Sequence, residues 1–285
     1  MKADHGLSIR RGCKVMGLRP SVYYYVPKES EDGLVLAQLQ AYREENDRWG
    51  FDKLYDLLCV DGFTWSRNYV FRVYQENGLQ LKTRRKKRLP SRAPVPIVRP
   101  IMPNVTWSMD FMHDRLEYGQ TFRSFNVIDD FNREALSITI DTSIGSERVI
   151  RELEQVIAWR GKPQRLRVDN GPEFIAHKMQ QWCKEQDIEL LFIEPGKPTQ
   201  NSLAERFNRT YREEVLSSHL FFSLDQARKL TQRWMYQYNT RRPHQGLERL
   251  TPRAFMERYA KGREQRPMSL PDFDIKDNPI IKLAA

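Results

Sequence analysis

Three acidic residues lie in sequence contexts that would let their carboxylates bind the same metal ion. Asp110 lies in the apolar stretch WSMDF, Asp169 follows the apolar stretch RLRV, and Glu205 follows the Pro/Gly-broken segment PGKPTQNS. Crowded carboxylates repel one another, and a bound cation relieves that repulsion. Oxygen ligands without His or Cys favour a hard ion such as Mg²⁺ or Mn²⁺. Two such ions could activate a hydroxyl and stabilise the leaving oxygen of a phosphodiester displacement.

Other residues compete for this role, and a structural use is the more common one for each: Asp114, Glu117, Asp129, Asp130 and His113. Asp129 and Asp130 end an apolar run, where turn formation is expected, and Asp114 and Glu117 are expected to face solvent. Asp169 alone, before Asn-Gly, would also be only a turn aspartate. Its assignment to a metal site therefore depends on Asp110 and Glu205.

The elements that must position these acids are predicted from periodicity. Strands are expected at 107–111, 122–131, 133–140, 165–169 and 188–194, with helices at 146–161 and 172–186. The first three strands follow closely enough for an antiparallel meander, and the rest alternates with helices, which predicts an α/β fold with a mixed five-stranded sheet flanked by helices. The first and fourth strands can then be neighbours, which would bring Asp110 and Asp169 together.

Glu205 belongs to a further predicted helix, 202–218, and another is expected at 224–240. Leu203, Phe207, Tyr211 and Val215 repeat every four residues and form one apolar stripe. Because Glu205 lies off this stripe, a helix packed across the sheet edge could direct it toward the two aspartates.

The N-terminal part is predicted to be a small all-helical domain. Helical spacing recurs three times between 34 and 78, and residues 8–25 have a helix-turn-helix outline with a break at Gly17. Ser66 could cap the third repeat, whose Arg67 and Arg72 could face a DNA groove. A helical bundle with surface arginines is the alternative interpretation.

Positive charge is concentrated in the first hundred residues. The net charge is +10, and residues 1–100 contain 19 Lys/Arg against 11 Asp/Glu, whereas residues 101–285 contain 28 against 26. Clustered cations gain affinity for nucleic acid by releasing counterions. Residues 82–103 are basic and proline-rich, which indicates a solvated tether or a strand lying along DNA phosphates, with this set as candidate contacts: Arg84, Arg85, Lys86, Lys87 and Arg88.

The three cysteines form no CxxC pair, and no signal peptide or membrane-spanning run is recognisable. A reducing, cytoplasmic setting without membrane contact is therefore expected. The predicted domains are 1–81 (helical), 82–103 (linker), 104–218 (catalytic core), 219–262 (helical extension) and 263–285 (loosely ordered tail).

WSMDF, RVDNGPEF and PGKPTQNSLAERFNRTYREEVL together resemble the three signatures of DDE transposases with a retroviral-integrase-like core. The 35 residues between Asp169 and Glu205 match the spacing of that family. YNTRRPHQGLERLTPRAF, residues 238–255, resembles the tail of bacterial insertion-sequence transposases encoded in two reading frames, with this chain as the downstream product.

The resemblance implies a ribonuclease-H-like core in which Asp110, Asp169 and Glu205 are the catalytic triad and hold Mg²⁺ or Mn²⁺, with two ions. It further implies DNA contacts from Arg212, Arg209 and the active-site loop 195–201, where Lys197 and Gln200 are candidates. The implied activity is cleavage of element ends and joining of the 3′-hydroxyl to DNA. The implied partners are double-stranded DNA, further copies of the chain and the upstream-frame product. A non-catalytic DNA-binding regulator and a metal-dependent nuclease remain alternatives.

Overall fold

A five-stranded mixed sheet forms the centre of the computed structural model, which describes residues 8–25, 30–81, 100–194 and 198–264. The strands are β1 (Thr106–Arg115), β2 (Thr121–Asp129), β3 (Ala135–Asp141), β4 (Arg165–Val168) and β5 (Glu189–Phe192). Their order is β3-β2-β1-β4-β5. The first three strands pair antiparallel, and β4 is parallel to both β1 and β5. The predicted meander and the predicted adjacency of the first and fourth strands are both confirmed.

The helices have these bounds: α1 Ile9–Val15, α2 Pro20–Tyr23, α3 Asp32–Glu45, α4 Phe51–Val60, α5 Arg67–Glu76, α6 Ser146–Arg160, α7 Pro172–Ile175, α8 His177–Glu185, α9 Ser202–Tyr211, α10 Leu224–Thr240 and α11 Pro252–Glu264. Short 3₁₀ turns occupy Pro198–Asn201 and Gln245–Leu247.

Apolar side chains cover both faces of the sheet. Helices α6 and α8 contribute Leu153, Val156 and Trp182 to one core with Trp107 and Val127 of the strands. A second core joins strand residues to α9 and α10, and its members include Met112, Phe122, Phe207, Tyr211 and Trp234. The apolar stripe predicted for the helix of Glu205 thus packs against the sheet.

The helix predicted at 172–186 is interrupted, so that expectation is wrong in detail. Ala176 has an extended backbone (φ −52°, ψ 134°) and separates α7 from α8. The break lets Phe174 bury completely against Phe111 and Phe125, at ring distances of 5.4 and 6.3 Å. Burial of this ring outweighs the helical propensity of the surrounding residues.

The helix predicted at 202–218 changes form after Tyr211. Residues Arg212–Leu216 make a π turn, closed by the Ser217 N–H donating to the Arg212 carbonyl over 2.7 Å. One wider turn rotates the following side chains relative to a regular helix.

The N-terminal helices form a separate core, as predicted. Helices α3, α4 and α5 bury Val35, Leu39, Leu57 and Val73 among others. Ser66 begins α5 as its N-cap, with its side chain accepting from the Tyr69 N–H over 3.4 Å. The break predicted between α1 and α2 is present at Gly17, whose φ is +65°.

The basic set Arg84 to Arg88 of the linker and residues 265–285 of the tail lie outside the described residues. Over the part of the chain that the structure describes, no helix is long and apolar enough to cross a membrane.

Candidate active site

Strand register brings Asp110 and Asp169 to the same level of the sheet. Ser108 of β1 pairs with Arg167 of β4 in parallel register, and each aspartate follows two residues later. Asp169 follows the last residue of β4, and it is level with Asp110, which lies within β1. The turn after β4 holds Asp169, because its Oδ1 accepts from the Gly171 N–H over 3.0 Å. Asn170 ties this turn to the end of β5 by donating to the Ile193 carbonyl over 2.9 Å.

Helix α9 carries Glu205 across β1 and β2. Phe207 and Tyr211 are buried in the core beneath the helix, whereas Glu205 is exposed, as its position off the apolar stripe predicted. The same helix places Asn208 against the first aspartate, with its Nδ2 donating to Asp110 Oδ2 over 2.8 Å.

A second asparagine supports the first. Asn126 of β2 donates through its Nδ2 to Asn208 Oδ1 over 2.7 Å, and both side chains are buried. Asn126 is the residue of β2 that pairs with Asp110 in the sheet. The chain from Asn126 through Asn208 to Asp110 therefore fixes the carboxylate of Asp110 relative to both the sheet and α9.

Burial raises the pKa of the Asp110 carboxyl from 3.8 to about 6, and the negative charges of Asp169 and Glu205 add to the effect. The N–H of Phe111 and the amide of Asn208 donate to this carboxyl and oppose the increase. Asp169 and Glu205 are thus each close enough to Asp110 to repel its carboxylate. Within the described ranges, however, no three His, Cys, Asp or Glu side chains are close enough to hold one ion together.

The chemistry of the site nevertheless fits a hard divalent cation. The available donors are carboxylate oxygens, and a cation would offset the burial and mutual repulsion that raise the pKa of Asp110. Asp169 and Glu205 are close enough to Asp110 to affect its pKa, but the three acids do not form a preformed metal cage, and the metal site stays a prediction.

The residues predicted to contact DNA have these surroundings. Arg212 donates to the His113 carbonyl over 2.8 Å and lies 3.7 Å from Asp114, and Arg209 is exposed. Gln200 exchanges two hydrogen bonds with Glu194. Lys197 lies outside the described residues.

Arg67 and Arg72 of α5 are engaged within the helical region. Arg67 pairs with Asp52, and Arg72 contacts both oxygens of Asp32 at 2.8 and 3.0 Å and Glu76 at 2.8 Å. DNA contact by either arginine would have to compete with these ion pairs.

The competing acids at the end of β2 have structural roles. Asp129 accepts from the N–H groups of Phe131 and Asn104 over 2.9 and 3.1 Å. Asp130 accepts from Ser108 Oγ over 2.6 Å and pairs with Arg167. Both are buried and their carboxylates are engaged by these partners, although Ser108 and Arg167 lie only two residues before Asp110 and Asp169.

Sequence reasoning missed the asparagine pair and a second contact beside β1. Asn208 stands three residues after Glu205, a spacing that places two side chains on neighbouring positions of a helix surface, and this signal could have identified it. Arg123 lies over the Phe111 ring at 4.2 Å and pairs with Glu173 of the RVDNGPEF segment. That pairing depends on the placement of α7, which the sequence pattern did not show.

Comparisons with known proteins agree with this geometry. Two models described as integrase core domain match residues 100–198 and 186–252. The chain is 37% identical over 254 residues to the insertion element IS476 39.2 kDa protein of Xanthomonas euvesicatoria, covering 89% of this chain and 73% of that protein. It is 35% identical over 254 residues to the insertion element IS407 31.7 kDa protein of Burkholderia multivorans, covering 89% and 92%.

A solved structure shares the fold. A chain of the simian T-cell lymphotropic virus intasome, determined in complex with the PP2A regulatory subunit B56 gamma, aligns with a TM-score of 0.51 at 20% identity. The alignment covers 85% of this chain and 79% of that chain. The expected ribonuclease-H-like architecture, preceded by a helical region, is confirmed.

Proposed function

Because the chain belongs to the family of insertion-element transposases with a retroviral-integrase-like core, we propose that it cleaves the ends of a DNA element and joins them to target DNA. The reaction has two steps, a hydrolysis followed by a phosphodiester transesterification. Water first hydrolyses the phosphodiester at the element end and frees a 3′-hydroxyl. That hydroxyl then attacks a target-strand phosphate, forms the new phosphodiester and releases the 3′-hydroxyl of the broken target strand. No covalent protein intermediate is required.

The observation that supports this proposal is that the register of the adjacent parallel strands β1 and β4 places Asp110 and Asp169 side by side, near the helix of Glu205. In the proposal these three acids are the catalytic residues, and together they hold two Mg²⁺ or Mn²⁺ ions. When bound, such ions lower the pKa of a bound water and stabilise charge on the entering and leaving oxygens.

Side chains and one backbone N–H of this chain position the carboxylates. The Asn126–Asn208 pair orients the Asp110 carboxylate, and the Gly171 N–H orients that of Asp169. We assign phosphate contacts near the reacting bond to Arg209, Arg212, Lys197 and Gln200, and contacts farther along the DNA to Arg67, Arg72 and the linker set Arg84 to Arg88. A planar guanidinium suits paired phosphate oxygens, so the arginines carry most of this role.

The proposal includes the division into five domains at 81, 103, 218 and 262, and a homo-oligomer assembled on double-stranded DNA at the nucleoid. An upstream-frame product would join this assembly as a partner. The basic charge of residues 1–100 is the feature that supports DNA contact by the helical region and linker.

A strand-transfer assay tests the assignment. Purified chain, supplied with its upstream-frame product, is incubated with labelled element-end DNA and Mg²⁺, and both cleaved and joined products are resolved. Asp110→Asn and Asp169→Asn should each lose at least about a thousandfold in rate, whereas Asp187→Asn, on the turn before β5, should keep wild-type activity. Equal activity of wild type and Asp169→Asn would falsify the assignment.

The same assay separates the alternatives. Cleavage without joined products would identify a nuclease. Binding of element ends without metal-dependent cleavage would identify a regulator that acts by binding alone.

A further inference from the structure

A cavity of about 900 Å³ lies between the helical region and the sheet-bearing core. One wall comes from α4 and α5, another from α9, and a third from the segment that follows α10. Ligand cavities of roughly 300–1,000 Å³ accommodate small organic molecules, so this one has room for a nucleotide. None of the residues proposed above for catalysis lines it.

The wall from the helical region is aromatic. Phe51 and Phe71 are both lining residues, and their rings meet at 4.7 Å in an edge-to-face arrangement. Phe71 is 39% exposed, so it can be reached from solvent. The guanidinium of Arg67 lies 4.9 Å from the Phe51 ring, which places a cation beside the aromatic surface.

Cations line more than one wall of the cavity. Lys53 of α4 and Arg242 of the segment after α10 share one carboxylate oxygen, Glu214 Oε1, at 3.3 and 3.2 Å. Two positive charges are thus matched by one negative charge. Arg206 of α9 also lines the cavity, is exposed, and has no ion-pair partner among the described residues.

The acids that line the cavity do not cancel this charge. Asp56 pairs with Arg249 at 2.8 Å and Asp129 pairs with Arg160 at 3.3 Å, and neither arginine lines the cavity. Asp52 pairs with Arg67 within the lining. The charge that remains for a ligand is positive, which favours an anion.

A buried ring with an unused nitrogen completes the lining. His244 is 6% exposed, and within the described residues its Nε2 has no hydrogen-bond partner. Burial and the charges of Arg242, Arg133 and Lys53 hold the pKa of His244 well below its usual value, so the ring is neutral. A buried nitrogen without a partner is costly, and a ligand or water that bonds to it removes that cost.

We propose that this cavity binds one nucleotide unit of an unpaired DNA strand, with its base against Phe71 and its phosphate near Arg206. Aromatic surface beside cations is the combination that binds single-stranded nucleic acid by stacking and charge. A duplex keeps its bases stacked inside, so it cannot present a base face to Phe71. Arg206 directly follows Glu205 in α9, so the helix that carries the proposed active site also forms a wall of the cavity. The inference rests on the proposed function for its substrate class.

Fluorescence of a single-stranded oligonucleotide with one central 2-aminopurine tests the proposal. The full chain is titrated in EDTA, where the metal-dependent reaction does not run. Wild type should quench the probe, and Phe71→Leu and Arg206→Gln should each weaken binding about tenfold, because each removes one stacking or phosphate contact. Arg206→Gln should also reduce the slope of log K against log salt by about 0.7. Phe222→Leu and Arg151→Gln, which change exposed residues away from the cavity, should bind within about twofold of wild type.

The outcomes separate this proposal from the proposed function. Asp169→Asn should quench the probe like wild type, so loss of strand transfer leaves the binding result unaffected. Unchanged affinity of both Phe71→Leu and Arg206→Gln would overturn the nucleotide site. If free dAMP displaces the probe at an equal concentration of nucleotide, the cavity binds a free nucleotide. If both variants lose as much affinity for a matched duplex as for the single strand, the contacts are to the DNA backbone. Either result rejects an unpaired strand as the occupant.

Discussion

Replacing Glu214 tests how the helical region, the core and the C-terminal helices are held together. Its Oε1 faces Lys53 of α4 and Arg242 beyond α10, and its Oε2 accepts from the Trp234 Nε1 over 3.0 Å. The side chain of Glu214 is 10% exposed and that of Arg242 is 11% exposed. Glu214→Ala would leave Arg242 buried without its carboxylate.

The two cations that pair with Glu214 do not contribute equally to stability. Burial raises the pKa of Glu214, but Arg242, Lys53 and Trp234 outweigh burial and lower it from 4.5. Burial and the charge of Arg242 lower the pKa of Lys53 even with Glu214 present. Arg242 is therefore the main partner, and Lys53, which is one-third exposed, contributes little.

Breaking a buried ion pair by removing one partner costs about 3–5 kcal/mol. For a chain of this size the same change lowers Tm by roughly 5–15 °C. Because the folded pKa of Glu214 lies below 4.5, its contribution is complete above that pH and is lost as the pH falls below it. The difference between wild type and Glu214→Ala should therefore shrink below pH 4.5.

Urea unfolding at pH 7 and at a series of lower pH values measures this difference. The control is Asp225→Asn, which breaks the exposed pair with Lys229 and should leave stability at the wild-type value. A loss below about 1 kcal/mol for Glu214→Ala at pH 7, or a loss that grows as the pH falls, would contradict the assigned pairing.

Two further predictions concern the residues around Asp110. Asn208→Ala should lower strand transfer about 10- to 100-fold and weaken Mg²⁺ binding, because the Asp110 carboxylate loses the hydrogen bond that orients it, and Asn126→Ala should have a smaller effect. Calorimetric Mg²⁺ titration measures the affinity and product analysis measures strand transfer. Unchanged Mg²⁺ affinity of Asn208→Ala would refute a positioning role. Asp130→Ala should reduce the free energy of unfolding by about 3–5 kcal/mol, because it leaves Arg167 without its carboxylate partner, and it should leave Mg²⁺ affinity unchanged. A selective loss of Mg²⁺ binding at wild-type stability would show that Asp130 belongs to the metal site.

The central sheet was predictable because its information is local. Apolar runs with short connections specify an antiparallel meander, and two later strands separated by helices must join it in parallel. That order allowed β1 and β4 to be neighbours, and the structure confirms their adjacency. The catalytic roles of Asp110, Asp169 and Glu205 came from the family resemblance and stay a proposal.

The structure differs from the sequence prediction, or adds to it, where contacts between residues far apart in the chain determine the conformation. Nothing local marks Ala176 as a helix break, since Ala favours helix, and the break follows from burial of Phe174 against strand residues. Lys53 and Glu214 are 161 residues apart, so neither their contact nor the cavity beside them can be predicted from spacing. Asn126 and Asn208 meet only because α9 crosses β2.

Helix α9 connects the proposed active site to the cavity, because successive residues of one helix point in different directions. Phe207 packs into the core, Asn208 holds Asp110, and Arg206 lines the cavity. The π turn that follows carries Glu214 into its pairs with Lys53 and Arg242. A shift of this anchor would move Asn208 and Arg206 together, since both belong to one rigid helix. Loss of Glu214 is therefore expected to impair strand transfer and single-strand binding at temperatures where the variant is still folded.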